Sequence, residues 1–185
     1  YIASYTSFPN NGQSGSGSMT NGCKTINFTT TMTSGVTIDN TAASSGTNLC
    51  TYNNTNYDPA LPNANAIGIS MIGAANAQAG TITFNFSEPI TNPIIYFSNN
   101  DHKYWDFAPT AGLTSMTRLS GNTSFLVDGT RLGRLDQTTT TTNNNFLGCT
   151  AQTGGPGLPG RGAAQLNGTF SSITANIIGL NGAED

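Results

Sequence analysis

Between Thr81 and Ser87 the chain alternates strictly, with Thr81, Thr83, Asn85 and Ser87 polar and Ile82, Phe84 and Phe86 apolar between them. A period of two is the pattern of a strand with one face in a core and the other in water, and no helix gathers such a set on one side. Glu88-Pro89 and Thr91-Asn92-Pro93 break the run, and Ile94-Ile95-Tyr96-Phe97 resumes it as a more fully buried strand. The same grammar recurs along the chain. From Thr25 onward Ile26, Phe28, Thr30 and Met32 share a face, and Val36-Thr37-Ile38 and Ile67, Ile69 and Met71 follow. Later come Leu113 to Leu119, Ser124 to Val127 before an Asp128-Gly129 turn, and two closing strands, Ala164 to Phe170 and Ile173 to Ile178. No segment keeps a 3.6-residue apolar period for three turns. Roughly nine to eleven short strands, with a turn about every ten residues, predict an all-β fold. The expected architecture is an antiparallel two-sheet sandwich of jelly-roll type.

Composition narrows the class of protein. Charged residues are 8% of the 185, against roughly 25% in ordinary soluble domains. Thr, Asn, Ser and Gly take their place, which suits a neutral polar surface of an exported protein. The six Lys and Arg form no basic patch, so nucleic-acid binding is not expected. No apolar run approaches the roughly 20 residues of a membrane-spanning helix. A chain that starts at Tyr1 rather than Met reads as a processed chain or a fragment, and removal of an export signal would explain it.

Residues 23–185 read as a single β domain, and residues 1–22 as an appendage. Tyr1, Ile2, Tyr5 and Phe8 make an apolar arm, and Pro9 to Gly22 reads as a Gly, Ser and Asn linker. The arm is either an edge strand of the same domain or a strand that docks on a neighbouring subunit. Three cysteines are present, Cys23, Cys50 and Cys149. In an oxidising compartment Cys23 with Cys50 is the economical disulfide, closing a loop of roughly 27 residues worth ~3 kcal/mol. Cys149 with either partner stays open. No CxxC or nearby His favours zinc.

The order of motifs resembles modules of bacterial cell-surface adhesins and other large exported surface proteins. The resemblance is carried by Gly80 to Pro93, by Ser115 to Asn122, and by Phe125-Leu126-Val127-Asp128-Gly129. Gln165 to Thr174 and the tail Gly182-Ala183-Glu184-Asp185 complete it. It covers roughly Ile67 to Asp185 and implies a lectin-like jelly-roll module in a surface adhesin or filament, usually non-catalytic. Its implied partners are neighbouring subunits or domains of the same surface protein.

Candidate chemistry gathers after the strand that ends at Phe97. Asn99, Asn100, Asp101, Tyr104, Trp105 and Asp106 combine amides, carboxylates and aromatic rings, the set that satisfies sugar hydroxyls and stacks on sugar faces. A carbohydrate-binding module is therefore the second functional reading, against a structural cap for Tyr104 and Trp105. His102 is the only histidine and has no GxSxG nucleophile to serve, so no enzyme is expected. If a cofactor is present it is Ca2+, with oxygen ligands from Asp101, Glu184 and Asp185, although no DxDxDG loop occurs. The Thr-rich strands lack the constant repeat that an ice-binding surface would need.

Overall fold

In a computed structural model of the protein, the structure describes residues 2–7, 13–21, 23–33, 35–39, 68–71, 78–100, 103–122, 124–133 and 160–179. Among them every regular element is a strand. In chain order these are β1 (Ile2–Ser7), β2 (Ser14–Asn21), β3 (Lys24–Met32), β4 (Val36–Asp39) and β5 (Gly68–Met71). Then follow β6 (Gln78–Thr91), β7 (Ile94–Asn100), β8 (Lys103–Asp106) and β9 (Ser115–Gly121). The last four are β10 (Leu126–Asp128), β11 (Arg131–Gly133), β12 (Gly160–Asn167) and β13 (Thr169–Gly179). Eight strands form one sheet in the order β1-β2-β3-β6-β13-β8-β11-β10, and β7-β12-β9 form a second. All the pairings are antiparallel, and β4 and β5 make a separate two-stranded ribbon. The expected all-β two-sheet sandwich is the observed fold, with unequal layers.

The alternation that predicted the strands also sorts their faces. Ile82 of β6 lies opposite Ala175 of β13, and Phe84 opposite Ile173. Ile82, Ile173, Ala175 and Ile177 are all buried. They meet Phe97 of β7 and Ala164 and Leu166 of β12 from the facing sheet, together with Trp105, Phe107, Phe125 and Leu132. A second, smaller cluster of Met19, Ile26 and Phe28 lies under β2 and β3. Phe86 and Ile90 of β6 pack against both clusters.

That double service needs a bend in β6. Between Asn85 and Ile90 β6 advances five residues while β13 moves only two, from Ser172 to Phe170. Extra residues in one strand bend it and release backbone groups from the ladder. Pro89 falls inside this stretch, where a missing N–H costs no ladder bond. The Glu88-Pro89 break expected from sequence is thus a bulge, and β6 continues to Thr91. On β13 the same irregularity lets Phe170 and Ile173, an odd number of residues apart, both face the core.

Two of the passages between the sheets turn at adjoining corners. Asn92-Pro93 carries it from β6 to β7, and Gly168 carries it from β12 to β13. Asn92 N donates to Gly168 O at 2.9 Å, and Gly168 N donates to Asn92 Oδ1 at 2.9 Å. Leu166 N donates to Pro93 O at 3.0 Å. Asn92 is in the left-handed region (φ 50°), a conformation that Asn tolerates. Gly168 has φ +147°, and a Cβ there would lie 2.3 Å from the Gly112 carbonyl oxygen, so only glycine turns this corner. Gly162 of β12 serves packing instead. A Cβ there would lie 2.3 Å from the Phe125 ring, which rests directly on the backbone.

Two expectations for the N-terminal region are revised. Ser14–Asn21, read as part of a linker, is strand β2, paired along its length with β3. Its Ser-Gly-Ser-Gly-Ser-Met sequence alternates with period two, Gly15, Gly17 and Met19 being the buried set. Small residues there leave room for Phe28, which lies opposite Gly17. Ile2–Ser7 of the arm is β1, the marginal strand of the large sheet, paired with β2. Cys23 is exposed and its thiol is free, so the expected Cys23–Cys50 disulfide is not formed. Cys23 belongs to the two-residue connection between paired Asn21 and Lys24, at a hairpin tip. Cys50 and Cys149 lie outside the described residues.

Candidate functional site

Strand β8 holds three of the residues expected to bind a ligand, and its pleat divides them. Trp105 lies opposite Leu132 and Ile177 on the inner face. It is only 7% exposed, meets the Phe97 ring edge-on at 5.0 Å and stacks on Phe107 at 6.3 Å. Its ring faces are core surface and are not presented to a sugar. Among the described residues the buried indole Nε1 has no hydrogen-bond partner. Tyr104 and Asp106 point to the outer face, as residues two apart on a strand must. Asp106 Oδ1 accepts from Ala108 N (3.0 Å) and Thr130 Oγ1 (2.7 Å), which fixes the carboxylate. Arg131 Nε stands 3.9 Å from Asp106 Oδ2, and its guanidinium lies 5.5 Å from the centre of the Tyr104 ring.

The other expected residues do not join them. Asn99 and Asn100 belong to β7, in the three-stranded sheet, where Asn100 pairs with Gly160. Asp101, His102, Glu184 and Asp185 lie outside the described residues, so none of the expected calcium ligands is placed. Tyr1 and Phe8 also lie outside, while Ile2 and Tyr5 are in β1. Among the described residues no three His, Cys, Asp or Glu side chains gather. A cleft of about 340 Å³ opens between β9 and β10, lined by Leu113, Met116, Val127 and Thr130 among others, with no titratable group among the described residues.

What Tyr104 and Asp106 do adjoin is a field of hydroxyls and amides. Across the outer face of the large sheet the registers align Ser16, Thr29, Asn85 and Ser172 in one row. Ser14, Thr31, Thr83 and Thr174 form the next. A third runs Thr81, Asn176, Asp106, Arg131 and Asp128. Neighbours within a row stand roughly 4.8 Å apart, and rows roughly 6.7 Å apart, because these are the strand spacing and the two-residue rise. Thr29, Thr31 and Asn85 are exposed, and Thr83, Thr174 and Asn176 are half-buried. The hydroxyls of Thr83 and Thr174 bond across the strands at 3.1 Å. Thr81 Oγ1 and Gln78 Nε2 both donate to Asn176 Oδ1, at 3.1 and 3.0 Å. Within these rows charge enters only at β8, β11 and β10, where Asp106, Arg131 and Asp128 lie side by side with alternating sign.

Sequence reasoning missed this surface, although its signal was present. The polar positions of the alternation that located the core are the same residues that build the outer face. No protein-family model matches the chain, and neither a curated protein nor a solved structure resembles it significantly.

Proposed function

We propose that this chain is a non-catalytic module of an extracellular bacterial surface protein, an adhesin or filament subunit of the lectin-like jelly-roll type that its motifs resemble, joined to neighbouring subunits through its N-terminal strand. The observation that supports assembly is the position of β1 at the margin of the large sheet. Its sequence, IASYTS, contains no charge and no proline. Marginal strands of monomeric proteins are usually blunted by such residues, because an open strand edge recruits another strand. The opposite margin, β10, has three residues and ends in Asp128, so it is protected. Electron micrographs of the full chain and of a variant lacking Tyr1 to Ser7 test the proposal. Fibres in the first and none in the second, with both folded by melting curve, support it. A monodisperse full chain at all concentrations refutes assembly.

Carbohydrate binding is the second reading. It is favoured by Tyr104 and Asp106 lying together on the outer face, an aromatic ring and a fixed carboxylate two residues apart.

A further inference from the structure

We infer that the outer face of the eight-stranded sheet, from β3 across β6 to β13, is a binding surface for a linear, uncharged polysaccharide. The inference rests on the carbohydrate reading but moves its site from the segment 99–106 to the face of the sheet. The surface is built from Thr29, Thr31, Thr83, Asn85, Thr174 and Asn176, aligned by strand register and exposed or half-buried. Every one is a hydroxyl or an amide, able to donate and to accept. A sugar hydroxyl has the same double capacity, so either partner can adjust its protons to the other.

The absence of charge on this part of the face selects among polymers. A sulfated, phosphorylated or uronic-acid chain needs cations to repay its desolvation. The one cation in the aligned rows is Arg131, which stands beside both Asp106 and Asp128. A second protein copy is a poorer occupant, since protein interfaces centre on apolar and aromatic side chains and these rows present none. The size of the field selects polymer over monosaccharide. A neutral hydrogen bond exchanged with water is worth only about 1 kcal/mol net, so affinity must come from repetition along a chain. The rows supply that repetition at fixed spacing on a rigid sheet. Tyr104 closes one side of the field with a ring able to stack on a sugar.

The test is depletion of the purified chain by insoluble neutral polymers (cellulose, chitin and a β-1,3-glucan), with alginate as the anionic comparison. Retention is expected on at least one neutral polymer, unchanged between about 0.05 and 0.5 M salt and not displaced by the free monosaccharide. Thr29→Lys and Asn85→Lys should each weaken it about tenfold or more. Thr117→Lys, at an exposed position on the opposite sheet, should leave it unchanged, with melting curves confirming that all three fold. Should a lysine variant fail to fold, Thr31→Ala and Asn85→Ala replace it with a smaller expected loss. Four results would overturn the inference: no retention on any neutral polymer, retention abolished by salt, equal loss in Thr117→Lys, or a wild-type dimer in sedimentation that Thr29→Lys dissociates. A fifth result, loss on Tyr104→Ala with Thr29→Lys unaffected, would return the site to the 99–106 segment, refuting the sheet face while keeping the carbohydrate reading.

Discussion

The two cores beneath the large sheet are built from one strand pattern and differ in what covers them. Under β6, β13, β8 and β11 the facing sheet supplies Phe97, Ala164 and Leu166, and five aromatic side chains interlock: Phe97, Trp105, Phe107, Phe125 and Phe170. Under β2 and β3 the buried hydrophobic side chains among the described residues are Met19, Ile26 and Phe28, with glycine at alternate positions of β2. Apolar stabilisation scales with area removed from water, so the first cluster carries most of it. The lesson is that sheet membership and stability are separate properties. β1 to β3 are hydrogen-bonded into the same sheet as β13 but hold to the rest mainly through β6.

The comparison is broken most directly at Phe125. It is fully buried and rests on Gly162, so Phe125→Ala should cost about 3–5 kcal/mol in denaturant unfolding. A loss below about 1 kcal/mol would show that the aromatic cluster is not the seat of stability. Phe28→Ala is expected to cost less, about 2–3 kcal/mol, because the glycine-lined side of its cluster can close on the gap. Hydrogen exchange sharpens the same point: amides of β2 and β3 should exchange before those of β13, and faster still in Phe28→Ala. If β3 and β13 exchange together in both proteins, the sheet opens as one unit. Thr83→Ala removes the cross-strand hydroxyl pair with Thr174 and should cost about 1 kcal/mol. Smallest is Lys24→Ala. The Lys24–Glu88 pair is 2.7 Å long but both side chains are about half exposed, so a loss of about 0.5 kcal/mol or less, vanishing in high salt, is expected.

How far the sequence foretold these regions follows the residues that define them. β6 and β13 were legible because Ile82, Phe84, Ile173, Ala175 and Ile177 signal a buried face by their size. β2 was not, because glycine on the buried face carries the period but not the hydrophobicity, and Gly-Ser sequences otherwise mark flexible segments. Its identity as a strand depends on Phe28, a residue on another strand that needs the vacant space. The segment 99–106 misled for a different reason. Its residues are neighbours in sequence, but a change of sheet separates Asn100 from Tyr104, and the pleat separates Trp105 from Tyr104 and Asp106. The hydroxyl rows could not be read locally at all, since Thr29, Asn85 and Ser172 become neighbours only through the β3-β6-β13 order.

The paired corners at Asn92 and Gly168 give the sandwich the mechanics of a bound book. At that end the two sheets share covalent crossovers and a mutual set of hydrogen bonds, and there is no slack to lengthen either turn. Gly133, Gly160, Asn100 and Gly179 all end their strands at the fore-edge, away from this spine. Inserted peptides, fused domains or new chain ends belong there, after Gly179, beyond the last pairing of β13 with β8. The same insertions at Pro93 or Gly168 should unseat both sheets at once.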